Sequence, residues 1–154
     1  MTLDENMLLS RPESEGMTSN GVIDWKTVTS FSEQVISDFD VQTPSSRMLA
    51  KSLSGGHLQK FMVGRELIRK PKLVIVAQPT WGVDAGSANN IHQSLISLAD
   101  QGSAVLIISQ DLDEILSLCE QIHVLSEGSL SDAVDMKKDG LEKISQLMVG
   151  GQKS

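Results

Sequence analysis

Leu53-Ser54-Gly55-Gly56-His57-Leu58-Gln59-Lys60 is the stretch on which the reading of this chain turns. It sets a serine and two glycines where a helix is expected to begin. A helix N-terminus carries unpaired backbone N–H groups and a partial positive charge. Glycine removes side-chain bulk, so an anionic oxygen can approach those groups, and the Ser54 hydroxyl adds a donor. Two readings follow: a plain cap and turn, or a phosphate-recognition site.

Working outward, the helix is expected over residues 53–70, because Pro71 disfavours helical backbone at the residue before it. Upstream, residues 43–46 (Thr-Pro-Ser-Ser) form a break. Residues 24–39 read as a helix, with Val28, Phe31, Val35 and Phe39 recurring at three- and four-residue steps. Residues 11–21 carry Pro12, Gly16, Asn20 and Gly21 and read as a loop. After Pro71 the pattern becomes α/β. The run at residues 73–77 is continuously apolar and suits a buried parallel strand. A helix is expected over 87–101, with Ile91, Leu95 and Leu98 on one face and Gly102 as its stop. A second buried strand spans 104–109. A helix over 111–120 turns Leu112, Ile115, Leu116 and Cys119 inward. A third strand is expected at 121–126, a short one at 130–134 after the Glu127-Gly128 turn, and a terminal helix at 141–149. Strand–helix–strand order implies parallel pairing with helices covering the sheet.

The 154 residues suffice for a domain with a real core. The aromatic fraction of 3%, with no tyrosine, argues against a base-stacking surface. A net charge of −7 and a pI near 4.8 also disfavour a general nucleic-acid binder. The single cysteine, Cys119, excludes an intrachain disulfide and reads as core filler. The apolar runs are far shorter than the ~18 residues a membrane span needs, and residues 1–10 lack signal-peptide character. The expected location is cytosolic, or peripheral at the inner face of a membrane.

The Leu53–Lys60 segment resembles the signature motif of ATP-binding cassette (ABC) ATPases. Leu73-Val74-Ile75-Val76-Ala77-Gln78-Pro79-Thr80 looks like the family's Walker B strand, and Trp81-Gly82-Val83-Asp84 looks like its D-loop. Val105-Leu106-Ile107-Ile108-Ser109-Gln110-Asp111-Leu112-Asp113-Glu114 looks like the strand and switch that follow, and Met1–Leu9 like a piece of the helical subdomain. The Ala-Gln pair before Pro79 and the Ser109-Gln110-Asp111 switch are similar to the second ATPase domain of simple-sugar and nucleoside importers. The resemblance implies the C-terminal part of a P-loop NTPase domain. Residues 1–70 would be a partial helical subdomain with the signature helix, and 71–154 the C-terminal α/β half of the core. None of the 12 glycines is followed by lysine, so no Walker A loop is present. The sequence is therefore expected to be a truncated reading frame, half of a split gene, or an expression fragment.

The family's catalytic positions are altered. Where an Asp would support Mg²⁺ and a Glu would polarise water, Ala77 and Gln78 stand. Where a switch histidine would contact the γ-phosphate, Gln110 stands. Alanine offers no oxygen to a hard cation, and glutamine can orient water but cannot take its proton. Gln78 and Gln110 are either relaxed positions of an inactive copy or retain a nucleotide-holding role. In this superfamily two ATPase domains meet head to tail, so the resemblance assigns Ser54, Gly55 and Gly56 to the γ-phosphate of an ATP held by the partner domain. It assigns Asp84 to the dimer seam. His57 replaces the usual Gln or Asn and reads as an exposed helix residue. His92 reads as a helix-surface residue and His123 as an alternating strand residue, neither with metal-ligand spacing. The implied partners are a second ABC ATPase domain and membrane permease subunits, not nucleic acid. ATP and Mg²⁺ are the implied cofactors of the assembly, with none held tightly by the isolated chain. Two functions remain open: an importer subunit for sugars, nucleosides or similar solutes, or a non-hydrolysing regulatory or remnant binding module. A third, the chromosome and repair ATPases, needs long heptad arms that this sequence lacks.

Overall fold

The computed structural model describes residues 1–10, 16–135 and 140–148, and the chain forms two compact units, Met1–Ile108 and Ser109–Ser154. The first unit begins with helix α1 (Leu3–Leu8). Thr2 opens it with a reciprocal capping box: its hydroxyl accepts from the Glu5 amide at 3.1 Å, and its own amide donates to the Glu5 carboxylate at 2.7 Å. Strands β1 (Thr18–Ser19) and β2 (Val22–Ile23) then pair antiparallel. The loop expected at 11–21 thus ends in a hairpin, and its first five residues lie outside the described ones. The turn residues Asn20 and Gly21 both have positive φ (51° and 77°), the backbone that a two-residue hairpin turn requires.

Helix α2 (Trp25–Asp38) starts where Asp24 accepts from the Lys26 and Thr27 amides. A short 3₁₀ turn (Ala50–Ser52) leads into helix α3 (Gly55–Leu67). Strand β3 (Leu73–Ala77), helix α4 (Ala85–Asp100) and strand β4 (Ala104–Ile108) form a β–α–β unit. Its strands pair parallel in the register Leu73 with Ala104 through Ala77 with Ile108. Leu3, Met7, Val28, Val35, Phe61 and Ile91, all fully buried, join α1 to α4 in one core. Gly64 sets the α2–α3 distance: a Cβ there would lie 2.6 Å from the Phe39 ring and 2.8 Å from a Val35 methyl.

The expectation of fully buried strands holds for one face only. Val74, Val76, Val105 and Ile107 pack on the core, but Leu73, Ile75, Leu106 and Ile108 are 51–60% exposed on the other. A continuous apolar run reports a strand meant for cover on both faces. Among the described residues only one face is covered.

In the second unit, helix α5 (Leu112–Leu118) is capped by Asp111, which accepts from the Glu114 amide at 3.1 Å. The strands expected at 121–126 and 130–134 are replaced by four two-residue pieces. Strand β5 (Gln121–Ile122) pairs antiparallel with β8 (Val134–Asp135), and β6 (Leu125–Ser126) with β7 (Ser129–Leu130). The break has a local cause: the Ser131 hydroxyl accepts the Val124 amide at 2.9 Å, taking it out of the ladder. Helix α6 (Gly140–Met148) contributes Ile144 and Leu147 to a small core with Ile122 and Val134. Residue 149, expected to end that helix, lies outside the described residues.

The bare β3–β4 face is expected to make this chain self-associate, because a flat apolar sheet surface seeks cover. Light scattering is expected to show oligomers for the parental chain and a shift toward monomer for Ile75→Lys combined with Leu106→Lys.

Candidate functional site

Helix α3 starts at Ser54, whose extended backbone (φ −64°, ψ 159°) lets its hydroxyl accept from the His57 amide at 3.3 Å. The cap uses the oxygen and leaves the hydroxyl proton to donate elsewhere. The cap reading and the phosphate reading of Ser54 are therefore compatible. The amides of Gly55 and Gly56 lie in the first turn and have no intrahelical acceptor to reach.

The two glycines serve different ends. A Cβ on Gly55 would meet nothing within 4 Å, so its surroundings are open to an incoming group. A Cβ on Gly56 would lie 2.9 Å from the Gly82 carbonyl oxygen and 3.5 Å from the Val83 Cα. Gly56 lets the helix start press against the backbone of residues 82–83.

That loop follows β3. Ala77 ends the strand with its methyl exposed, and Gln78 turns the chain with a left-handed φ of 51°. The Gln78 amide donates to the Ile108 carbonyl at 2.8 Å, and its carbonyl accepts from the Trp81 amide at 3.1 Å. The Gln59 side-chain amide donates to the carbonyls of Gln78 and Pro79 at 3.3 and 3.1 Å. Asp84 closes the loop as N-cap of α4, accepting from the Ser87 hydroxyl and, at 3.0 Å, from the Ser87 amide. Those bonds, the hydroxyl first, hold its carboxyl at about 2 rather than the ordinary 3.8, with a lesser contribution from the Lys60 charge. The residue read as a seam group is thus engaged within its own chain.

Four residues after Gly56, the buried Lys60 ammonium donates to the Asp40 carbonyl at 3.0 Å and lies 3.6 Å from its carboxylate. Gln42 donates its side-chain amide to Asp40 at 2.7 Å and its backbone amide to His57 Nδ1 at 3.2 Å. His57, expected to be exposed, is half-buried and engaged. An accepting Nδ1 in the neutral ring puts the proton on Nε2. Arg65 and Arg69 donate to the backbone of α1 and Ser10 rather than toward Ser54.

Gln110 lies in the second unit, exposed, just before the Asp111 cap. His92 is half-buried on α4. His123 is exposed just after β5 with Nδ1 2.9 Å from the Ser131 carbonyl, where an alternating strand residue was expected. Cys119 is half-buried against the second core, and burial, then the Glu114 charge, raises its thiol pKa. Among the described residues no group of three or more His, Cys, Asp or Glu side chains is placed to hold a metal ion. The first turn of α3 therefore offers neutral donors around an open glycine, while the Asp84 carboxylate and the His57 ring are engaged within the chain. The site can hold an anionic oxygen and has no carboxylate at residues 77–78 to carry Mg²⁺ or take a proton. Gln59, Lys60 and Gly64 escaped the sequence reading, since a helical polar residue or glycine shows its partner only once the chain has folded.

A parallel β–α–β unit, a glycine-led helix packed on the loop after the first strand, and the helices before it together make the fold of an ABC ATPase, in its C-terminal part. The chain superposes on a dimeric ATP-binding cassette in a post-hydrolysis state bound to ADP and phosphate, with a TM-score of 0.72 and 20% identity, covering 88% of this chain and 57% of that one. A second ATP-binding cassette gives a TM-score of 0.71 at 21% identity, covering 100% of this chain and 63% of that one. By sequence the chain is a relative of the ATP-binding proteins of sugar and nucleoside importers. It is 38% identical over 151 residues to a nucleoside import ATP-binding protein of Lactococcus lactis subsp. cremoris, and 36% over 148 residues to a guanosine import ATP-binding protein of Bacillus subtilis. It is 34% identical over 150 residues to a ribose import ATP-binding protein of Streptococcus agalactiae. These matches cover 96–98% of this chain, which spans only 29–30% of the length of those relatives. No protein-family profile matches the chain.

Gly56→Ala is expected to destabilise the chain by about 1–3 kcal/mol through overpacking on backbone that cannot yield. Gly55→Ala, in open space, should be neutral or slightly stabilising. Urea denaturation of the two variants distinguishes the glycines. A second measurement addresses Asp84. Its carboxyl is lowered in the folded state, so its stabilising effect is present above pH 3.8 and fades as pH falls toward about 2. The gap in denaturation midpoint between the parental chain and Asp84→Asn is expected to be constant above that window and to close within it.

Proposed function

We propose that this chain supplies the signature part of the second ATPase domain of an importer for sugars, nucleosides or similar solutes. In this reading residues 1–70 are a partial helical subdomain and 71–154 the C-terminal half of the ATPase core. The observation that carries it is the open approach to Gly55 beside the Ser54 hydroxyl at the start of α3. The names of the sequence relatives, all import ATP-binding proteins, support the transport assignment.

The chain's part is recognition of a γ-phosphate. The Ser54 hydroxyl and the amides of Gly55 and Gly56 donate to its oxygens, and Asp84 lies on the same side of the loop as the seam with the partner. The ATP and Mg²⁺ of that site are held by the second ATPase domain. The chain's own catalytic positions, Ala77, Gln78 and Gln110, are degenerate, so it hydrolyses nothing by itself and binds Mg-ATP weakly when isolated. The assembly includes membrane permease subunits and sits at the cytoplasmic face. Among the described residues no helix is long and apolar enough to cross a membrane.

The test is steady-state ATP turnover of the reconstituted complex. Gly55→Asp is expected to be the more severe variant, because it sets a carboxylate where a phosphate approaches. Ser54→Ala removes one donor and should lower turnover by roughly 1–3 kcal/mol of transition-state stabilisation. Parental turnover in both variants would leave the non-hydrolysing binding module as the better description, a reading favoured by the missing carboxylates at residues 77 and 78.

A further inference from the structure

The start of α3 and the loop at residues 78–84 are far apart in sequence and are fastened together at two points. Gln59 and Gly56 are three residues apart and so lie on one face of the helix. Gly56 meets the loop backbone at Gly82, and Gln59 donates to the carbonyls of Gln78 and Pro79. The Gln78 carbonyl also accepts from Trp81, so the bond that closes the turn shares its oxygen with the bond from the helix. Gln78 holds a left-handed backbone that a side-chain-bearing residue adopts only where its surroundings require it. Beyond Gly82 the loop ends at Asp84, locked to Ser87.

We propose that Gln59 is a positioning residue that ties the signature helix to the loop carrying Gln78 and Asp84, so that displacement of Ser54 and Gly55 on meeting a phosphate is passed to that loop. The functional consequence rests on the phosphate reading of Ser54; the tie itself does not. The chemistry explains the residue type. A primary amide carries two N–H donors, one for each carbonyl. Leucine keeps the bulk and loses both donors. Glutamate keeps the shape and turns acceptor oxygens toward two carbonyls. Lysine restores donors at the end of a long stem.

Hydrogen exchange on the full 154-residue chain, read by segment, tests the tie. In Gln59→Leu and Gln59→Glu, amides of residues 80–84 should exchange about 3- to 10-fold faster for each of the two hydrogen bonds lost. Gln59→Lys should return toward the parental rate, and amides of α2 and β4 should not change in any variant. Unchanged exchange at 80–84 in both the Leu and Glu variants overturns the proposal. So does equal acceleration across the whole first unit, which marks a merely structural residue. Should the Leu variant not fold, Glu against Lys carries the same comparison.

A second arm uses the assembled, ATP-bound transporter. The parental chain should gain protection at both 54–58 and 80–84, and Gln59→Leu should keep the first gain and lose the second. Equal gain at 80–84 in both chains overturns the proposal. No gain at 54–58 in the parental chain instead overturns the phosphate reading, with the tie decided by the first arm.

Discussion

The close approach of the Gly56 backbone to the Gly82 carbonyl is the constraint around which the first unit is arranged. It fixes where α3 begins and holds the loop after β3 against that point. Two elements distant in sequence thereby share one surface, with the Ser54 hydroxyl and open Gly55 at one edge and Asp84 at the other. A side chain at Gly56 would force backbone apart from backbone, and neither partner has a rotamer to give.

The rest of α3 explains why that approach is stable. The helix has no single apolar stripe, because neighbours meet it on several sides. Phe61 is fully buried in the main core, and Gly64 admits Val35 from α2 and the Phe39 ring at its C-cap. Lys60 and Arg65 are also buried, which would be unfavourable for lone charges. Each donates to a backbone carbonyl, Lys60 to Asp40 and Arg65 to Asn6, so their burial fastens the residue after Phe39 and helix α1 to α3. The helix is thus the hub of the unit while its first turn faces outward.

In the proposed function that geometry separates holding from reacting. The outward turn carries neutral donors suited to an anion, and the strand end at Ala77 and Gln78 carries no proton acceptor. A composite site, in which one domain grips a phosphate and another supplies carboxylate and metal, has use for such a surface. The bare apolar face of β3 and β4 belongs to the same description, as a surface whose residue types fit cover on both sides.

Local chemistry was legible from the amino-acid order. Ser54 was legible as a cap, because a cap acts on amides two or three residues away; Asp24 and Asp111, read as helix residues, and Asp84, read as a seam group, turned out to cap their helices as well. The α4 face of Ile91, Leu95 and Leu98 followed from helical periodicity, and the parallel β3–β4 pairing from strand–helix–strand order. The antiparallel fragments after α5 were not legible, since the Ser131 hydroxyl breaks a run that reads as one strand. Nor was the difference between Gly55 and Gly56, or the task of Gln59. Adjacent glycines are identical as letters and differ only in what the folded chain brings against them. By itself the sequence determined the longer helices, the Ser54 cap and the motif order, since these depend on neighbours along the chain. The tertiary structure alone decided which glycine faces open space, which packs against the loop, and which face of the sheet is covered, because these depend on contacts between residues far apart in sequence.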